Sequence, residues 1–259
     1  MVNSDLISLE KLYDKLYSNY GSQGWWPLLE LKPNINPTNR GSYTGYHPGD
    51  YKYPKSEEQI FEIIIGTILA QSTSWVNAER ALWNLAQNNL ISEKKLNNIG
   101  LEALSQLIRS SGYFNQKAKK IQNMLQFLLE NPISHLKNSK IGILRKKLIN
   151  IKGIGPETAD SIALYAFNKP IFVVDTYTKR LLSRIGIIPQ KSNYEDIQNL
   201  FHTQLNSDSV VYNEFHALIV QHCVYICSSK PKCSICFLNR YCLKKILIKS
   251  KKKSEKKKK

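Results

Sequence analysis

The chain has 259 residues, 42% of them hydrophobic, and a formal net charge of +17 at pH 7. That length and apolar content can bury a core in one or two domains, and the charge calls for a polyanionic partner. The apolar run 60–70 is broken by Glu62 and too short for a bilayer, and the N-terminus has no basic start followed by an apolar signal segment, so no membrane partner and an intracellular location are expected.

The charge is unevenly spread. Residues 244–259 hold ten lysines and one glutamate, which leaves +8 for the rest of the chain. The tail reads as a disordered, low-complexity run that adds salt-sensitive, sequence-independent affinity, although a localisation signal or a solubilising end would look the same.

In chain order, Ser4 is placed to cap a helix whose apolar residues Leu9, Leu12, Tyr13, Leu16, Tyr17 and Tyr20 recur at three and four, ending at Gly21. Trp25-Trp26-Pro27 follows, then a stretch 32–55 rich in Pro, Gly, Asn and Tyr that reads as irregular or as a boundary. Ser56 with Gln59 forms a capping box that opens a helix apolar on most sides, from Ile60 through Leu69, and therefore central to a bundle. Leu69-Ala70-Gln71-Ser72-Thr73 ends it, and the next helix starts near Trp75 with Ala78, Leu82 and Leu85 on one face. Amphipathic helices are predicted around 101–109, 116–129 and 140–151.

At 153–156 the chain turns through Gly153-Ile154-Gly155 and restarts a helix at Pro156, where the missing N–H costs nothing. Two glycines at alternate positions let the N–H groups of the turn converge on one phosphate oxygen. Asn168-Lys169-Pro170 breaks that helix, and a short apolar run, 171–174, leads to Asp175 at the start of another. Taken alone, Asp175 reads as an N-cap. Two more helices, 193–205 and 211–226, reach the cysteines. Outside 171–174 no strand-like alternation occurs, so the chain reads as all-α.

All five cysteines lie between positions 223 and 242. Crowded thiols in an intracellular chain suit a metal better than disulfides. Cys227, Cys233, Cys236 and Cys242 are spaced C-x5-C-x2-C-x5-C, a set that serves zinc or an iron-sulfur cluster on chemistry alone. Cys223, one helical turn before Cys227, is a buried thiol or a substitute ligand. His47, His135, His202, His216 and His222 show no ligand or triad spacing and are assigned no role.

The combination GIGPETA, a helix of spacing, then VVDT and an arginine-containing helix resembles the helix-hairpin-helix glycine/proline-aspartate superfamily of base-excision DNA glycosylases. The resemblance implies a two-domain helical glycosylase fold: a six-helix barrel domain over 56–168 that ends in the hairpin, a second helical domain from 1–55 plus 169–246 with the cysteine loop, and the basic tail 247–259. DNA would cross the cleft between the domains. By the same resemblance Asp175 is the catalytic residue, and Gly153, Ile154, Gly155, Thr158 and Lys117 grip DNA backbone. Gln71 fills the gap left by a flipped base. The cysteine spacing is similar to the 4Fe-4S loop of endonuclease III relatives, one residue shorter in the first gap, with zinc as the rival; either metal would be structural. The implied partner is double-stranded DNA with damaged bases, met by a monomer.

Where endonuclease III relatives carry the lyase lysine, this chain has Glu157, so strand cleavage by an imine is expected to be absent or weak. The bland reading of Glu157 is a first-turn carboxylate that suits the helix dipole. Four stretches, Trp25-Trp26-Pro27, residues 69–75, residues 112–118 and Gly153-Ile154-Gly155 with Glu157 and Asp160, resemble the 3-methyladenine DNA glycosylase III branch. There the residues matching Trp25, Trp26 and Trp75 line the base pocket. An alkylated purine is cationic and leaves readily, so stacking on electron-rich rings selects it. The rivals are an endonuclease III-like glycosylase and lyase on oxidised pyrimidines, and a non-catalytic DNA-binding module.

Overall fold

The computed structural model describes residues 7–31, 37 and 45–243. The cap expected at Ser4, half of the irregular stretch 32–55, and the lysine-rich tail from 244 onward lie outside the described residues. Among those described, twelve α-helices and no strands are found, and no helix is long and apolar enough to cross a membrane. The chain divides into a middle unit, Gln23–Ile171, and a terminal unit made of Met1–Ser22 with Phe172–Lys259.

The first helix, α1 (Leu9–Tyr20), belongs to the terminal unit, and its cap is Ser8, whose hydroxyl accepts the Lys11 N–H at 3.2 Å. The middle unit is built around α2 (Glu57–Leu69), in which every residue from Gln59 to Leu69 is buried. Ser56 Oγ accepts the Gln59 N–H at 3.2 Å, while Gln59 Oε1 reaches past it to the Lys55 N–H. The other helices of this unit are α3 (Trp75–Gln87), α4 (Glu93–Asn97), α5 (Leu101–Leu107), α6 (Phe114–Glu130), α7 (Ile133–Lys137), α8 (Ile141–Ile149) and α9 (Pro156–Ser161); α3, α6, α7 and α9 pack on α2 directly, α4 and α5 pack on α6, and α8 packs on α9. The helix expected to run on from Pro156 changes pitch: Ile162–Ala166 is a π-helical turn, fully buried, that packs on α2.

The described residues among 23–55, which the resemblance groups with the second domain, fall in the middle unit by their contacts. Glu62 of α2 accepts the Leu29 N–H at 2.8 Å. Trp26 lies so close to Gly66 that a Cβ there would stand 3.2 Å from its indole nitrogen.

In the terminal unit α10 (Thr176–Ile185), α11 (Tyr194–Gln204) and α12 (Ser209–Tyr225) pack with α1, and α12 touches both α1 and α10. Phe172 stacks on Phe201, ring centroids 3.4 Å apart, and Phe215 and Tyr212 meet Phe172 edge-on. The apolar run 171–174 is therefore buried chain between helices, and side chains of α11 meet two of its N–H groups: Phe172 N–H donates to His202 Nε2 and Val174 N–H to the Tyr194 hydroxyl.

Candidate active site and cysteine cluster

The hairpin between α8 and α9 is held by side chains on both sides. Arg145 of α8 meets Asp160 of α9 through Nε to Oδ1 at 2.7 Å and Nη2 to Oδ2 at 3.3 Å, with the aspartate wholly buried. This is a forked, charge-assisted pair, which fixes orientation as well as distance. Gly153 has φ +98°, and a Cβ there would stand 2.5 Å from Lys120 Cγ, so backbone and neighbour both require glycine. Gly155 has φ −91° and open space around it. Nothing inside the chain demands a glycine there. No acceptor among the described residues takes the N–H of Gly153 or Gly155. Ile154 is buried and offers only its backbone.

Gln71, just past α2, sits against this hairpin. Its Nε2 donates to Thr158 Oγ1 at 2.9 Å and reaches Gly153 O at 3.4 Å, and its Oε1 accepts from Lys120 Nζ at 2.5 Å. Thr158 is buried and engaged with Gln71.

Lys117 does not fit the expected backbone contact. It is 1% exposed, and its ammonium donates to Leu69 O at 2.7 Å and Ser111 O at 2.6 Å. Burial pushes its pKa down to about 8, with the charge of Lys120 adding to the effect. A phosphate has no direct route to it. It ties the end of α2, two residues ahead of Gln71, to Ser111 at the turn before Gly112 and Tyr113. Tyr113 caps α6 in a left-handed conformation, φ +46°, and is 67% exposed.

The three tryptophans come together, joined by a residue the sequence did not single out. Trp26 meets Trp75 edge-on at 5.0 Å and Trp25 at 6.3 Å, and Tyr165 of the π-helical turn lies 5.2 Å from Trp26 and 6.2 Å from Trp25. Ser74 caps α3 and so places Trp75 at its first position. Trp26 is the core member; Trp25 and Trp75 are half-buried. The indole N–H groups of Trp26 and Trp75 are buried without an acceptor among the described residues. His47 bridges the carbonyls of Trp26 at 3.0 Å and Asp50 at 2.7 Å. Glu62, beneath the same segment, has its pKa pushed up to about 7 by burial, opposed by the Leu29 N–H and reinforced by Glu30.

In the terminal unit Asp175 is the N-cap of α10: its Oδ1 accepts the Thr178 N–H at 2.7 Å. Its Oδ2 stands 3.7 Å from His216 Nε2. Burial raises the carboxyl pKa, but His216 and Thr178 outweigh it and hold the group below its ordinary value. A carboxylate kept ionised out of water can stabilise positive charge strongly. His216 carried no sequence signal beyond being polar in an apolar run.

Cys227, Cys233, Cys236 and Cys242 line one cavity together with Leu181, Ile185, Ile226 and Leu238. All five cysteines are free thiols. Arg184 of α10 closes one wall, its Nη1 reaching Cys227 Sγ at 3.3 Å, Cys227 O at 3.0 Å and Ser228 O at 2.6 Å. Cys242 Sγ donates to Arg184 O at 3.2 Å. Cys223 lies outside this lining; it is fully buried and its thiol donates to Tyr177 O at 3.4 Å. Among the described residues no three ligand side chains converge closely enough to hold a single ion.

Residues 65–206 match the family described as HhH-GPD superfamily base excision DNA repair protein. A protein of Methanocaldococcus jannaschii provisionally named a DNA repair glycosylase is 38% identical over 239 residues, spanning 91% of this chain and 96% of that one. The endonuclease III of Sulfolobus acidocaldarius is 30% identical over 187 residues, 71% of this chain and 81% of its own. Two solved structures share the fold. The H. pylori 3-methyladenine DNA glycosylase bound to 1,N6-ethenoadenine has a TM-score of 0.64 at 23% identity, covering 83% of this chain and 97% of that one. A non-covalent endonuclease III–DNA complex has a TM-score of 0.69 at 18% identity, covering 95% and 100%.

Proposed function

We propose that this chain, which belongs to the HhH-GPD superfamily of base excision DNA repair proteins, is a monofunctional glycosylase that releases alkylated purines such as 3-methyladenine from double-stranded DNA. The observation that carries the choice of base is the aromatic cluster of Trp25, Trp26, Trp75 and Tyr165. A cationic purine gains from stacking on such rings, most of all on tryptophan, and a neutral base gains less. Because the base is already a good leaving group, no strong general acid is needed.

The reaction then balances simply. The N-glycosidic bond breaks with its electron pair going to the base, which becomes neutral, and the sugar carries the positive charge. Asp175 stabilises that charge and takes the proton of the water that adds to the sugar. Gly153 and Gly155, with N–H groups unclaimed among the described residues, are suited to a backbone phosphate. Glu157, exposed in the first turn of α9, occupies the place of an amine nucleophile and cannot form an imine. Lys120, an amine beside the hairpin, is engaged with Gln71, and Lys152, just before Gly153, is given little weight as a substitute.

The four thiols suit a 4Fe-4S cluster better than zinc. Their spacing, similar to the cluster loop of endonuclease III relatives, supports that choice, and all four line one mainly apolar cavity. Cys227, Cys233, Cys236 and Cys242 would hold the cluster, which supplies a rigid staple for the loop that presents Lys230 and Lys232. A brown chromophore with iron content supports this reading; zinc alone overturns it.

The endonuclease III-like reading, a glycosylase and lyase on oxidised pyrimidines, is favoured by the identity to the Sulfolobus acidocaldarius protein. Borohydride trapping on damaged DNA decides between them. A covalent protein–DNA adduct contradicts the monofunctional reading, and its absence during active base release supports it.

A further inference from the structure

Asp175 stands before the first turn of α10, and its two carboxylate oxygens have different neighbours. Oδ1 accepts the Thr178 N–H at 2.7 Å, and Oδ2 faces Nε2 of His216 at 3.7 Å. The imidazole is 7% exposed and the carboxylate 13%, so neither is fully solvated by bulk water. His216 lies within α12 between Phe215 and Ala217, both wholly buried, and its ring stands edge-on to Phe172. Histidine is an unexpected choice for such a run unless something in the interior uses it.

We propose that His216 is a positioning residue for Asp175: the imidazole holds the carboxylate plane from the Oδ2 side as the Thr178 N–H holds it from the Oδ1 side. This rests on the reading of Asp175 as the carboxylate that meets the charge developing on the sugar. The terminal torsion of an aspartate is broad and soft, so one hydrogen bond to a helix N–H leaves its plane poorly fixed. A catalytic group displaced by about 1 Å can lose roughly 100-fold in rate.

The surroundings suit that role. From α10 comes Thr178, from α12 His216 and Cys223, and from α11 His202 and Tyr194, which secure the N–H groups of Phe172 and Val174 just ahead of the aspartate. Two N–H groups of the chain leading into Asp175 are thus held. His216 extends that pinning to the reactive end of the side chain.

The test measures single-turnover base release and binding to damaged duplex side by side, on whichever lesion the wild-type protein releases. The proteins are wild type, His216→Leu, His216→Gln, His216→Asn and Asp175→Asn. Leucine removes the polar contact, glutamine keeps an N–H on the Oδ2 side, and asparagine is too short to reach it. The proposal expects His216→Leu to slow release by about 10- to 100-fold with Kd unchanged within about twofold, and His216→Gln to stay within about fivefold of wild type. Should the leucine protein not fold, His216→Asn takes its place in the comparison. Wild-type release by the leucine or asparagine protein, an equal loss in the glutamine protein, or loss of binding in parallel with release would each overturn it. Asp175→Asn separates the two claims. Full release by that variant removes the catalytic reading itself, whereas its inactivity beside a fully active His216→Leu protein removes only the role of His216.

Discussion

Gln71 donates from Nε2 to the hydroxyl of Thr158 at 2.9 Å, tying the segment after α2 to the first turn of α9. The resemblance gives Gln71 the task of filling the gap left by a flipped base, so this bond must be released when DNA is engaged. Part of the binding free energy is then spent on breaking the contact. Gln71→Ala should lower folding stability by about 1 kcal/mol, the usual net worth of a hydrogen bond. Its larger effect should fall on affinity for a lesion-containing duplex, weakened about tenfold. Thermal melting and fluorescence anisotropy on the same preparations compare the two.

Lys117 supplies a second test. A lysine that touches phosphate contributes about one unit to the slope of log affinity against log salt. A buried lysine bonded to Leu69 O and Ser111 O contributes nothing to that slope. Lys117→Met should leave the salt slope unchanged while destabilising the fold by about 2–4 kcal/mol, as two buried carbonyls lose their donor. A slope reduced by about one, with stability intact, would restore the phosphate contact.

The difference between these lysines was partly readable in the chain. Lys117 falls on the same face of α6 as Ile121, Met124, Leu125 and Leu128, all buried, whereas Lys119 points away. The run of basic residues hid that periodicity. Asp175 was readable as a cap, and Gly153 and Gly155 as a turn, because those roles are set by neighbours in sequence. His216 was not, since its meeting with Asp175 depends on how α12 lies beside α10. Tyr165 was hidden for a related reason: the π-helical turn alters the pitch on which any face assignment rests. The home of residues 23–55 is likewise a tertiary matter, decided by Glu62 and Gly66 within α2.

Glu62 gives a prediction in pH. Its folded-state pKa, about 7, lies above the unfolded value, so the folded protein binds the proton more tightly. The stabilisation is complete below about pH 4.5 and is lost as the pH rises through 7, a change on the order of 3 kcal/mol. Glu62→Gln keeps an oxygen for the Leu29 N–H and removes the titration. Chemical denaturation at pH 5 and pH 8 should show wild type losing stability relative to Glu62→Gln over that interval. A constant difference between the two proteins would contradict the burial argument.

The tryptophans divide into two kinds. Trp26 is 8% exposed, and Trp26→Ala should cost about 3–5 kcal/mol of stability. Trp25 and Trp75 are half-buried, and their alanine variants should remain folded and bind undamaged DNA normally while losing selection for alkylated bases. If both release methylated purines like wild type, the rings are packing residues and the pocket lies elsewhere.

The most direct measurement of the central claim is base release from two substrates side by side, one duplex carrying methylated purines and one carrying oxidised thymine, scoring free base and strand breaks separately. Free methylated adenine with the strand left intact is the predicted result. Strand breaks at oxidised thymine, with no methylated base released, would contradict it and assign the chemistry to an amine.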